Sequence, residues 1–307
     1  MTLLRRIFSA IILTGGAALL LFILPSIVGV LVLTGMAALA LVEFYGIQRN
    51  AGIPAFRNIG IVSGVALLVA SYVSLNITIL AGDTVQDSWR ELPALVITLV
   101  IFIIFVRQFP QKLNPQPLPT IACTMLGLVY VPLLLMFILN LCFRWTPTDW
   151  NAPFSPTATA LIVYLVLVVK ASDMGAYFVG SLIGRHKMFP RISPGKTWEG
   201  LAGGFLAGIA ASMILAWLWR SPAPGGLPVA EFGRLSLTWG HTLFLGAFLA
   251  AIGVIGDLVE SLLKRSAGLK DSGRLFPGMG GILDVLDSLL FAAPAMYFYL
   301  RWFAHVI

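Results

Sequence analysis

The residues best suited to chemistry lie in the last third of the chain. In the string GDLVESLLKR, Asp257, Ser261 and Lys264 are spaced i, i+4, i+7 and so line one helical face, with Glu260 beside them. The loop SAGLKDSGRLFPGMGG follows, carrying Lys270, Asp271 and Arg274 among glycines and a Pro-Gly turn. It runs into ILDVLDS, where Asp284 and Asp287 are i, i+3 at the start of another apolar helix. Two carboxylates on one turn, facing an aspartate from the preceding helix, can hold a hard divalent cation. Mg²⁺ takes oxygen ligands and is usually bound through one or two carboxylates plus a substrate phosphate.

Two further groups stand upstream. SPGKTWEG leads directly into a glycine-rich helix start, and there Ser193, Lys196 and Thr197 suit phosphate oxygens beside exposed backbone N–H groups. It is not a Walker loop, because GxxxxGK[ST] is absent. Lys170 and Asp173 sit three apart inside an apolar run, on one helical face. Ionisable groups in such a run are costly, which marks them as functional candidates or as a structural ion pair. Asp173 opens the string DMGAYFVG, whose small residues allow another backbone or a ligand to approach closely. Carboxylates next to clustered Lys and Arg suggest metal-assisted phosphoryl chemistry, with basic residues clamping a departing pyrophosphate. The residues alone reach a Mg²⁺-dependent nucleotidyl- or phosphoryl-transfer enzyme acting on a lipid, and do not choose the nucleotide. An ion-coupled transporter built on Lys170 and Asp173 is the competing reading, although it would favour repeats and midplane charges in several spans.

The elements that must carry these residues follow from composition. Of 307 residues, 59% are apolar and only 11% charged, against about 25% charged in a soluble domain. A soluble globular enzyme, a disordered chain and a secreted disulfide scaffold are thereby excluded. The expected fold class is all-α, a polytopic integral membrane protein of about nine transmembrane helices. The first apolar run, from Ile7 to Ile47, divides at Pro25 into two spans, too long for a signal peptide. Further spans are read at Ile59–Ala81, Leu92–Val106, Leu118–Leu141, Thr159–Leu182, Leu201–Trp219, Thr242–Leu263 and Leu286–Phe303. Residues 1–307 form a single membrane domain, with apolar scaffold helices over 7–141 and catalytic helices and loops over 159–303. Cys123 and Cys142, 19 apart in one apolar stretch, cannot bridge each other along a helix.

Orientation comes from Lys and Arg. With the N-terminus cytoplasmic and the C-terminus outside, fourteen basic residues fall on inner segments and five on outer ones, with Lys170 in a span. Seven of the thirteen acids, all in the C-terminal half, join the inner side, and Glu43 is the one inner acid of the N-terminal half. The expected location is the cell (inner) membrane, with the active site facing the cytoplasm.

The segment SLLKRSAGLKDSGRLFPGMGGILDVLD closely resembles the signature of phosphatidate cytidylyltransferases, also called CDP-diacylglycerol synthases. The matching positions include Ser261, Lys264, Arg265, Lys270, Asp271, Gly273, Pro277, Gly278, Gly280, Gly281, Asp284 and Asp287. DMGAYFVG, SPGKTWEG and the paired apolar N-terminal run are also similar to that family. The resemblance implies that phosphatidic acid and CTP form CDP-diacylglycerol and pyrophosphate, by in-line attack of the lipid phosphate on the α-phosphorus. It implies Asp257, Asp284 and Asp287 as metal-holding carboxylates, with Lys264 joining them in catalysis. Phosphate binding would fall to Lys196, Lys264, Arg265 and Lys270, and phosphate or metal contacts to Ser193 and Ser261. Asp173, Thr197 and Asp271 complete the expected substrate site. Mg²⁺ is the implied cofactor, with a second, monovalent cation left open. The implied partners are CTP, phosphatidic acid, the lipid bilayer and, as an open option, a second copy in a homodimer; nucleic acid is not among them. Two positions depart from the pattern: Met279 stands where the family has His, and Val285 where it has Arg. A CTP-dependent lipid-alcohol kinase is the related alternative, separated by its products.

Overall fold

The computed structural model describes residues 15–80, 89–110, 114–145, 149–220, 237–273, 275 and 280–303. Helices dominate, as apolar composition requires: in hydrocarbon every backbone N–H and C=O must be satisfied within its own segment. We label them α1 (Ser26–Asn50), α2 (Arg57–Leu80), α3 (Leu92–Gln108), α4 (Pro117–Phe143), α5 (Pro156–Ile183), α6 (Trp198–Arg220), α7 (Trp239–Ser266) and α8 (Ile282–Trp302). Seven of these eight are long and apolar enough to cross a membrane, and α3, at 17 residues, is shorter. Large apolar side chains such as Val62, Phe102 and Leu118 are exposed along them, the surface expected of a polytopic membrane protein facing lipid. Each of the eight overlaps an expected span. The first expected span begins before residue 15 and lies mostly outside the described residues; residues 15–22 are helical.

One element departs from an all-helical reading. Between α5 and α6 the basic loop forms an antiparallel hairpin of β1 (Lys187–Phe189) and β2 (Ser193–Thr197), with Lys187 opposite Thr197 and Phe189 opposite Ser193. The Glu199 carboxylate holds its base, accepting the backbone N–H groups of Arg185 (3.1 Å) and His186 (3.2 Å). A three-residue strand is too short for a period-2 pattern to register in the sequence.

The chain divides into two compact units. The first comprises Met1–Phe154 and Leu263–Leu286. Its helices interlock through an aromatic residue set against glycines: the Tyr45 ring of α1 occupies the space where Gly60 of α2 and Gly127 of α4 would carry a Cβ. The Tyr45 hydroxyl donates to the Thr124 carbonyl at 2.9 Å, which satisfies the one polar atom of that ring. Within α4, Pro132 lacks an N–H and crowds the preceding turn, and the helix widens to a π segment at Val129–Leu133. Cys123 and Cys142 are both free thiols on α4.

The second unit comprises Ser155–Leu262 and Asp287–Ile307. Small residues bring its helices together, as they do where no hydrophobic force operates between apolar helices in lipid. Gly175 of α5 meets Gly203 and Ala207 of α6, and Gly180 lies against Thr197 and Gly200. Gly208 of α6 meets Gly246 and Ala250 of α7. Ser212 Oγ donates to the Thr242 carbonyl at 2.5 Å, so the buried Tyr164 hydroxyl must donate to Ser212. Gly256 of α7 lies against the α8 backbone, 2.5 Å from the Asp287 carbonyl oxygen to where its Cβ would stand.

Candidate active site

In the second unit three carboxylates converge. Asp257 and Glu260 lie on adjacent turns of α7 and Asp287 on α8, each offering an oxygen within 4.8 Å of the others. The absence of a side chain at Gly256 lets the two helices approach this closely. Glu260 is fully buried and Asp287 nearly so. Lys196 Nζ stands 2.6 Å from Asp257 Oδ2 and also donates to the Val254 carbonyl at 3.3 Å. Ser261 Oγ donates to Asp257 Oδ1 at 3.4 Å, and Ser288 donates its N–H (2.5 Å) to Asp287 Oδ1. Lys170 and Asp173 of α5, paired at 3.4 Å, lie within electrostatic range of Asp287.

Three anions gathered in apolar helices carry a large desolvation and repulsion cost. A hard divalent cation would relieve it. The donor set is all oxygen, with no thiolate or imidazole among the three, which suits Mg²⁺ and similar ions and not the softer metals. Adjacent ligands of an octahedral Mg²⁺ at about 2.1 Å stand about 3 Å apart. The three oxygens, all within 4.8 Å of one another, reach that spacing by small side-chain adjustments.

In the first unit a second acidic group is built differently. Lys264 Nζ donates to Asp284 Oδ1 at 2.5 Å, both side chains 10% exposed. Asp284 Oδ2 accepts the Ser272 N–H (3.0 Å), the Gly281 N–H (2.7 Å) and stands 2.7 Å from Ser272 Oγ. Gly280, at φ +93°, has its Cβ space filled by this carboxylate. Asp284 thus meets its hydrogen-bonding capacity with protein donors, while Glu260, outside the expected metal ligands, joins Asp257 and Asp287. The signal for Glu260 was present in its i, i+3 spacing from Asp257. For Glu43 and Ser272 no local pattern exists: the Glu43 carboxylate of α1 accepts the N–H groups of Ile282 (3.1 Å) and Leu283 (2.9 Å) and meets Ser272 Oγ at 3.0 Å.

The other expected residues occupy separate places. Thr197 is buried and caps α6, its Oγ1 accepting the Gly200 N–H at 3.1 Å. Ser193 opens β2, half-buried. Arg265 is exposed and donates to the Leu269 carbonyl at 3.1 Å, where Gly268, at φ +69°, turns the chain out of α7. Lys270 and Asp271 follow on the exposed loop. Met279 lies outside the described residues, and Val285 is half-buried on the first turn of α8.

A model of the cytidylyltransferase family matches residues 4–303. The chain belongs to the cytidylyltransferase family. This family member is 43% identical over 143 residues to the phosphatidate cytidylyltransferase of Bacillus subtilis, covering 47% of the chain and 48% of the relative. It is 41% identical over 149 residues to that of Brucella suis, covering 48% and 50%. With that of Mycobacterium bovis it shares 36% over 190 residues, covering 60% and 52%. The chain thus spans about half the length of the curated relatives it matches. The carboxylates of α7 and α8 in this cytidylyltransferase-family chain are accordingly candidates for nucleotide chemistry, not for ion transport.

Proposed function

We propose that the chain transfers the cytidylyl group of CTP to phosphatidic acid, giving CDP-diacylglycerol and pyrophosphate. The observation that carries this reading is the convergence of Asp257, Glu260 and Asp287 within helices apolar enough to lie in a membrane. The names of the matched relatives support the choice of CTP and phosphatidate. A phosphate-headed lipid and a soluble nucleotide can meet only at a membrane face, and the fourteen-to-five sorting of Lys and Arg supports the cytoplasmic one.

Asp257, Glu260 and Asp287 would hold Mg²⁺, which supplies a Lewis acid at the α-phosphoryl group and charge neutralisation for the pyrophosphate. The lipid phosphate oxygen forms a bond to the α-phosphorus as the bond to the β-phosphate bridging oxygen breaks. The attacking phosphate is already anionic, so no strong base is needed, and positioning and electrostatics dominate. Lys196, beside Asp257, binds phosphate oxygens of the nucleotide, and Lys264, Arg265 and Lys270 are further candidate phosphate ligands. Ser193, Thr197 and Ser261 border that site, and Asp173 with Lys170 and Asp271 complete the substrate surface. Asp284 holds Lys264 in place rather than holding metal.

Purified protein supplied with CTP labelled at the α-phosphate, phosphatidic acid and Mg²⁺ tests the proposal. The expected products are labelled CDP-lipid and pyrophosphate in equal amounts. CDP together with a phosphorylated lipid alcohol, or no CDP-lipid under any divalent metal, would overturn it.

A further inference from the structure

The first turn of α8 is capped from a distance. Its N-cap position is Gly281, which has no side chain to accept the orphan N–H groups that every helix start presents. Asp284, three residues on, reaches back to the Gly281 N–H as the acid of a capping box does. The reciprocal half of the box comes from another helix. Glu43 of α1, more than 230 residues earlier, accepts the N–H groups of Ile282 and Leu283 with its two oxygens. Its carboxylate fills the space that a Cβ on Gly281 or Gly273 would need. The Ser272 hydroxyl lies within hydrogen-bond distance of Glu43 Oε2 (3.0 Å) and Asp284 Oδ2 (2.7 Å), and its single proton serves one at a time. Glu43, Ser272, Asp284 and Lys264 therefore form one continuous network, and the segment that carries Lys270 and Asp271 is tied into it at Ser272.

We propose that Glu43 is a positioning residue that supplies the missing N-cap of α8 in trans and thereby sets the placement of Lys264 and Lys270 for nucleotide phosphate. This inference rests on the cytidylyltransfer reading for its ligand but not for its geometry. A carboxylate accepting two backbone N–H groups at a helix start is both charge-assisted and favoured by the helix dipole. Removing it frees Ile282 and Leu283 and releases Ser272 from α1.

The geometry makes an exchange possible. Glu43→Ala empties the space beside Gly281, and Gly281→Ser places a hydroxyl there that can cap α8 in cis. Glu43→Ala alone should lower kcat/KM for CTP about tenfold or more, the scale of one lost charge-assisted hydrogen bond, with KM for phosphatidate held within about twofold. Gly281→Ser alone should lose a similar factor, because its side chain collides with Glu43. The double variant should recover most of the loss. Glu43→Gln, which keeps the shape and one acceptor oxygen, serves if the alanine variant does not fold, and should give a smaller, CTP-specific loss. Hydrogen exchange at the Ile282 and Leu283 amides should speed up in Glu43→Ala and slow again in the double variant. A double variant as impaired as the product of its parents overturns the proposal, as does equal loss for both substrates. If the wild-type chain makes no CDP-lipid, the functional reading fails alone, and the exchange data still decide the cap: amides left unprotected in the double variant overturn it.

Discussion

Two acidic groups are carried by the same pair of helices and have opposite characters. Asp257, Glu260 and Asp287 bring three anionic side chains within 4.8 Å, with Lys196 the cation paired with Asp257. Asp284, one turn before Asp287 on α8, is instead surrounded by Lys264, Ser272 and the Gly281 N–H. The first arrangement gathers carboxylates whose mutual repulsion a hard cation would relieve. The second is complete with protein donors. Spacing of carboxylates along a helix therefore does not separate the converging Asp287 from the Lys264-paired Asp284; the groups each one meets do so.

The largest effect should come from removing a charge from the converging group. Asp287→Asn is nearly isosteric and takes away one anionic ligand. CDP-lipid formation should fall by about three orders of magnitude or more, and chelation of divalent metal from the wild type should do the same. Radiolabelled product counted against Mg²⁺ concentration reads both. Turnover within about tenfold of wild type would remove Asp287 from the metal group and erase the contrast with Asp284.

The pair of Lys264 and Asp284 should fail in another way. Lys264→Ala leaves Asp284 as a buried carboxylate without its cation, a loss of about 3 kcal/mol, at the low end for broken buried pairs because Ser272 and Gly281 still donate to it. Replacing both partners, Lys264→Met with Asp284→Leu, should restore most of the stability, since a buried pair exchanged for apolar side chains is often neutral. On the proposed role of Lys264 in phosphate binding, it should not restore turnover. Thermal unfolding in detergent and product assays on the same preparations separate the two. Recovery of activity in the double variant would show that Lys264 serves packing alone.

The contrast also explains what could be read from the residues in order. Helices α1 to α8 were legible because an apolar run of about 20 residues is a local property. Asp257 and Glu260 were legible as neighbours because i, i+3 positions share a helix face. Which of Asp284 and Asp287 meets the α7 carboxylates was not. Three residues turn a helix by about 300°, so their side chains point about 60° apart, and spacing alone does not say which one meets the α7 carboxylates. Glu43 was visible as an inner acid, but its partners are 229 to 240 residues away. The hairpin at Lys187–Thr197 escaped because SPGKT reads as turn chemistry until Glu199 and the β1 backbone supply its partners.

Two glycines give a finer version of the same comparison. At Gly256 an added Cβ meets the Asp287 carbonyl and the Ser288 Cα, both backbone atoms of α8. Backbone cannot rotate away, so Gly256→Ala should cost about 3 kcal/mol, even though alanine favours a helix interior by about 1 kcal/mol. It should also push Asp287 from Asp257 and raise the Mg²⁺ concentration needed for half-maximal turnover.

At Gly281 the obstacle is the Glu43 carboxylate, the far end of a flexible side chain. Glu43 can swing aside at the expense of its bonds to Ile282 and Leu283, and an alanine at the N-cap offers no acceptor in return. Gly281→Ala should therefore cost about 1–2 kcal/mol, less than Gly256→Ala, and leave the Mg²⁺ dependence where it was, because Asp257, Glu260 and Asp287 are untouched. Paired unfolding curves and Mg²⁺ titrations of the two variants measure this directly. A Gly281→Ala protein that needs as much extra Mg²⁺ as Gly256→Ala would mean that the Asp284 group and the converging carboxylates act as one, and that the distinction drawn between them does not hold.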